Sequence, residues 1–157
     1  MERKCPRRTT CLSIALAACL LAMPESADAG APPGQYTLSA TTVLDLKTGL
    51  IWQRAVDPGS YNWVAALAYC EGLTLDSKSD WRLPSLHELE SIVDDSTHDP
   101  AIDLVAFPET PVDQFWSSSP FAPFPNSNGY AWSVWFKDGS STNFGGVSFP
   151  GRVRCVR

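Results

Sequence analysis

The sequence predicts an α+β domain: two helices, then a small antiparallel sheet, with long loops between them. Three observations lead there. Trp63, Ala66, Leu67 and Cys70 recur at the spacing of one helix face. Ser85 and Glu88 form a capping box ahead of the apolar stripe Leu86, Leu89, Ile92 and Val93. From Tyr130 to Lys137 the pattern switches to strict alternation, and Asp138-Gly139 follows as a hairpin turn.

The elements can be justified in order. Residues 1–29 have the make-up of an export signal. Arg3, Lys4, Arg7 and Arg8 precede the apolar run Leu12–Met23, and Ala27-Asp28-Ala29 closes it with a small-x-small pattern. That run is too short to span a bilayer, which takes roughly 20 residues. A second processing route is open, because Leu16-Ala17-Ala18-Cys19 resembles a lipobox and would leave a lipoprotein anchored at Cys19. Cleavage after Ala29 leaves a secreted or periplasmic domain. Residues 30–42 then read as a flexible lead-in and 43–157 as the domain.

Val43–Leu46 and Leu50–Gln53 form a hairpin about Lys47-Thr48-Gly49, where glycine supplies the positive φ. A first helix runs from Asn62 to Glu71, with Gly72 placed to end it, and a second from Leu86 to about Val93. Asp94–Gln114, with three prolines, reads as a long ordered loop. Strands follow at Phe115–Ser118, Tyr130–Lys137 and Ser141–Phe144. The terminal Arg152–Arg157 alternates, with Val153 and Cys155 inward and the arginines outward.

The chain has five cysteines, three of them in the export segment. Removal of that segment leaves Cys70 and Cys155, which either pair or stay as two buried thiols. An exported chain favours the bond. Closing so long a loop stabilises by roughly 4–5 kcal/mol at most on the chain-entropy estimate. Residues 30–157 hold eight Lys and Arg against fourteen Asp and Glu. Such an acidic surface disfavours nucleic acid, whose phosphates require clustered cations. There is no further apolar run of membrane-spanning length in the sequence.

Chemistry-bearing patterns are sparse. His87-Glu88 opens like a zinc-protease motif, but position 91 is Ser. Ser117, Ser118 and Ser119 lack a nucleophile-elbow context. No catalytic residue or metal ligand is therefore assigned. Asp94, Asp95, Asp99 and Asp103 offer hard oxygen ligands for calcium, but not at EF-hand spacing, and a solvated acidic loop is the favoured account. The best ligand-binding candidates are Phe124, Asn126, Asn128, Tyr130, Trp135 and Asn143, which place aromatic faces among amides in the late loops. Trp132 shares its alternation face with Val134 and Phe136, so it is read as core. Trp135 falls on the opposite face and is expected to be exposed.

The ordered series Val43–Gln53 with Trp52, Tyr69-Cys70, Asp80-Trp81-Arg82-Leu83-Pro84-Ser85 with Glu88, Trp116-Ser117-Ser118 and Val153–Arg157 resembles the Lcl C-terminal domain family of bacteria. The resemblance covers Val43 to Arg157. It implies a C-type-lectin-like fold and an exported recognition or adhesion module for a glycan or a surface protein. An assembly component of the cell envelope is the alternative. The Asp80–Ser85 motif is read from its own residues as structural, with Trp81 and Leu83 filling core. The family's name-giving member is a collagen-like adhesin that binds sulfated glycosaminoglycans. The present chain has no collagen-like repeat and is acidic. Formylglycine-generating enzymes share the broader fold, but they depend on cysteines beyond the pair at 70 and 155, so an enzyme is the least favoured outcome.

Overall fold

In a computed structural model, residues 34–121, 129–143 and 146–157 can be described. They form two helices and two three-stranded antiparallel sheets, where a single sheet was expected. The first sheet comprises β1 (Tyr36–Leu38), β2 (Thr42–Asp45) and β3 (Ile51–Gln53) in that order. The second comprises β4 (Gln114–Pro120), β5 (Ala131–Trp135) and β6 (Ser140–Thr142), also in chain order. Strand β1 corrects the expected lead-in: Tyr36 faces Asp45 across the ladder and stacks edge-on against Phe107.

The β2–β3 hairpin forms as the sequence predicts, with Gly49 at φ +74°. Its stabiliser is a residue that sequence reading passed over. Asp45 is fully buried, yet its carboxylate accepts from the Lys47 amide, the Thr48 hydroxyl and the Gln35 amide. These donors offset the cost of burying a charge.

Helix α1 (Trp63–Gly72) is capped by Asn62, whose side chain accepts from the Ala65 amide. Gly72 does not take the left-handed role expected of it. It is the last helical residue, and Leu73 leaves in an extended conformation. Helix α2 (Leu86–Glu90) starts with both halves of the capping box in place, but ends earlier than expected. A turn carries Ile92 into the core instead. The long loop is ordered because Ala101, Ile102, Ala106 and Phe107 insert into the core as a strand would.

Two hydrophobic clusters flank the second sheet. Phe115, Val134 and Phe136 join Trp52, Leu89 and Phe107 on one side. Trp116 and Ala131 join Ala66, Trp81, Leu83 and the bonded pair Cys70–Cys155 on the other. The terminal segment ties these parts together. Ile51 and Arg157 exchange backbone hydrogen bonds, as do Arg82 and Val156, while Gln114 and Trp116 bond to Arg152.

This segment is not the simple alternating strand expected of it. Arg154 points inward and is fully buried, as is Val156. The Arg154 guanidinium donates to the carbonyls of Gln53 and Arg54 and to the Thr110 hydroxyl, and lies 4.7 Å from the Phe107 ring centre. Burial lowers its pKa to about 9, so it remains charged at neutral pH. Carbonyl dipoles and an aromatic face solvate the cation in place of water.

Candidate ligand-binding groove

Strand pairing decides which side chains share a face. Gln114 pairs with Trp135, Trp135 with Ser140, and Ser133 with both Trp116 and Thr142. Gln114, Trp116, Ser133, Trp135, Ser140 and Thr142 therefore lie on one face of the second sheet. Packing of the second cluster covers the half that carries Trp116 and Ala131. The half that carries Gln114, Trp135, Ser140 and Thr142 floors a groove of about 640 Å³. Val112 and Asp113 line it from the bend that leads into β4. Ser60, Pro150, Gly151 and Arg152 line it from the loops before α1 and before the terminal segment. The volume is that of an ordinary small-ligand site.

Trp135 is 37% exposed. Its indole N–H donates to the Val112 carbonyl at 3.3 Å, and the Lys137 ammonium lies 5.4 Å from its ring centre. The ring is thus held at its edge, with an aromatic surface available for stacking. Ser60, Gln114, Ser140 and Thr142 contribute hydroxyl and amide groups. Arg152 is the one cation among the described lining residues and Asp113 the one anion. They pair at 2.9 Å.

Of the expected binding residues, Tyr130, Trp135 and Asn143 are described, and they fall at different places along the second sheet. Phe124, Asn126 and Asn128 lie outside the described residues. Tyr130 is exposed but stands at the far end of β5, about 17 Å from Trp135 at the strand rise. Asn143 follows β6 and is half-buried, outside the groove lining. Among the described members of this set, Trp135 alone lies in the groove. Trp132, read as core, is half-buried and stacks edge-on with Phe121 at 4.9 Å. The walls from Val112-Asp113 and Pro150–Arg152 carried no sequence signal, because nothing local pairs them with β5.

The Asp80–Glu88 motif is engaged throughout in the fold. Asp80 pairs with Arg157 through both carboxylate oxygens, at 2.8 and 3.0 Å. Trp81 and Leu83 are buried in the second cluster, and the Pro84 carbonyl accepts from the Ser118 amide. Arg82 grips Glu88 at 2.7 and 2.8 Å, while Glu88 also accepts from the Ser85 amide. The Arg82 guanidinium is the main cause that holds the Glu88 carboxyl down at about 2. Ser119 accepts from the first amide of α2, and the Ser117 hydroxyl donates to the Trp132 carbonyl. Trp52 is fully buried in the first cluster.

The other polar groups are tied up locally. The Asp94 carboxylate accepts from Ser96, and Asp103 accepts from the amides of Val105 and Ala106. Among the described residues no three or more His, Cys, Asp or Glu side chains come together as a metal site. Ser141 donates to Glu90, which also contacts His87. In that trio the carboxylate stands between serine and histidine, so the imidazole is not placed to activate the hydroxyl.

Among the described residues no helix is long and apolar enough to cross a membrane. The disulfide points to an oxidising, exported environment. The family model of the Lcl C-terminal domain matches residues 41–157. Among curated proteins none matches the chain.

Proposed function

Starting from a chain that belongs to the Lcl C-terminal domain family, we propose that it is an exported, non-catalytic recognition module of C-type-lectin-like fold that binds a glycan in the Trp135 groove. The observation that carries this reading is the pairing of an exposed indole with hydroxyl and amide side chains in one groove of about 640 Å³. Sugar rings present apolar C–H faces and a rim of hydroxyls. A stacking aromatic flanked by neutral donors and acceptors matches both. The acidic balance of the chain argues against nucleic acid as the partner.

Export follows from the signal-like residues 1–29, with lipoprotein processing at Cys19 as the other route. The acidic loop at Asp94, Asp95, Asp99 and Asp103 is assigned to solvent and to its own backbone, and neither a metal nor a cofactor is assigned. A role in envelope assembly is the second reading. It is favoured by the exposed apolar side chains Leu104, Val105 and Val112.

A glycan array probed with the purified chain and with Trp135→Ala tests the first reading. Saturable binding that is lost in the variant supports it. Absence of glycan binding by a folded wild-type chain, together with self-association or capture of an envelope protein, would replace it with the second.

A further inference from the structure

We infer that Asp113 sets the charge selectivity of the groove, by masking Arg152 and turning anionic saccharides away. The inference rests on the saccharide reading for its ligand class, and on the following geometry for its substance. Arg152 is the one cation among the described lining residues, and therefore the natural seat for a sulfate or carboxylate. Its guanidinium is already engaged. Nε donates to Asp113 Oδ2 at 2.9 Å, and Nη1 donates to the carbonyls of Pro58 and Gly59 at 2.6 and 3.1 Å. The Arg152 side chain is 26% exposed, whereas that of Asp113 is 52% exposed. An incoming ligand thus meets the carboxylate before the guanidinium.

Lys137 and Asp138 add one charge of each sign beside the groove. Lys137 sits against the Trp135 ring, and hydrogen bonding from Ser140, with a smaller contribution from the Lys137 charge, holds the Asp138 carboxyl below the usual carboxylate range. Within the groove, formal charge therefore cancels in the Arg152–Asp113 pair. What remains for recognition is the indole face and the neutral polar groups of Gln114, Ser140 and Thr142. A groove so arranged selects uncharged sugars, and a single neutralising change at Asp113 frees the cation.

The test compares cellotetraose with its sulfated derivative on wild type, Asp113→Asn and the double variant Asp113→Asn/Arg152→Gln, each first checked for folding by thermal melting. Asp113→Asn should gain affinity for the sulfated sugar by about tenfold, the scale of one freed charge-assisted contact. That gain should fade at high salt and vanish in the double variant. A wild-type chain that already binds the sulfated sugar as tightly as Asp113→Asn does would overturn the inference, as would a gain that survives loss of Arg152. If the double variant melts below the working temperature, Asp113→Lys replaces it. This variant should bind the sulfated sugar at least as well as Asp113→Asn, and failure to do so overturns the inference equally. The saccharide reading fails separately, if Trp135→Ala leaves all sugar binding unchanged.

Discussion

Trp116 and Trp135 lie on the same face of the same sheet, and they have opposite fates. Trp116 is 3% exposed, and its indole N–H donates to the Tyr61 carbonyl at 2.9 Å. Trp135 also donates to a carbonyl, that of Val112, yet one face of the sheet around it is open. Neither the residue type nor the strand pattern makes the difference. Cover does: the cluster containing the buried face of α1, Val153 and the disulfide closes over Trp116 and stops short of Trp135. One face of one sheet is therefore core along part of its length and candidate binding surface along the rest.

The comparison can be broken most severely at its closed end. Trp116→Ala should cost about 3–5 kcal/mol, the range for truncating a buried aromatic, as read by denaturant melting. A loss below about 1 kcal/mol would mean that the closed half is not core at all.

Gly151→Ala attacks the same contact from the other side. A Cβ at that position would lie 2.7 Å from the Trp116 indole nitrogen, where no side chain fits without a shift. The expected loss is about 1–3 kcal/mol by overpacking. It should come with some loss of ligand binding, since Gly151 also lines the groove.

Glu88 stands at the start of α2, whose Leu89 packs behind the second sheet, on the face opposite both tryptophans. Its folded carboxyl sits at about 2 against an ordinary 4.5. The unfolded chain therefore takes up the proton first as pH falls. The contribution of Glu88 is full above about pH 4.5 and is lost toward about pH 2. Because Arg82 is half exposed, the pair contributes only about 1 kcal/mol. Glu88→Gln should remove that share of the acid sensitivity in a series of melts across this window, and leave the melting point at pH 2 nearly unchanged.

The smallest stability effect belongs to the open end. Trp135→Ala should change stability by less than about 1 kcal/mol, because the ring is only partly covered. The same substitution should abolish glycan binding. A large stability loss there would make Trp135 a core residue and remove the contrast with Trp116.

Sequence patterns captured what is local. The capping box at Ser85 and Glu88, the turns at Gly49 and Gly139, the face of α1 and the exposure of Trp135 all follow from short-range periodicity or turn chemistry. The cysteine pair was legible by elimination. What escaped depends on distant partners. The inward turn of Arg154 needs Thr110 and the Gln53 and Arg54 carbonyls, none of them near it in sequence. An alternation rule therefore sent it outward. Strand β1 is three residues long and exists because β2 offers it a ladder. The groove walls are likewise brought to Trp135 by separate loops. Tyr130 and Trp135 suggested one compact site, but β5 separates them by its full length.

The terminal segment carries a consequence for the order of events in the life of the chain. Val153 and Cys155 belong to one cluster and Val156 to the other, while Arg157 holds Asp80. A chain growing from its N-terminus thus completes the second cluster only with Cys155 and the first only with Val156. The contacts that close the domain join its last residues to positions 51, 53 and 82, so they form late and across long loops. A chain that stops short of Cys155 lacks members of both clusters and the disulfide, so it has neither core in full.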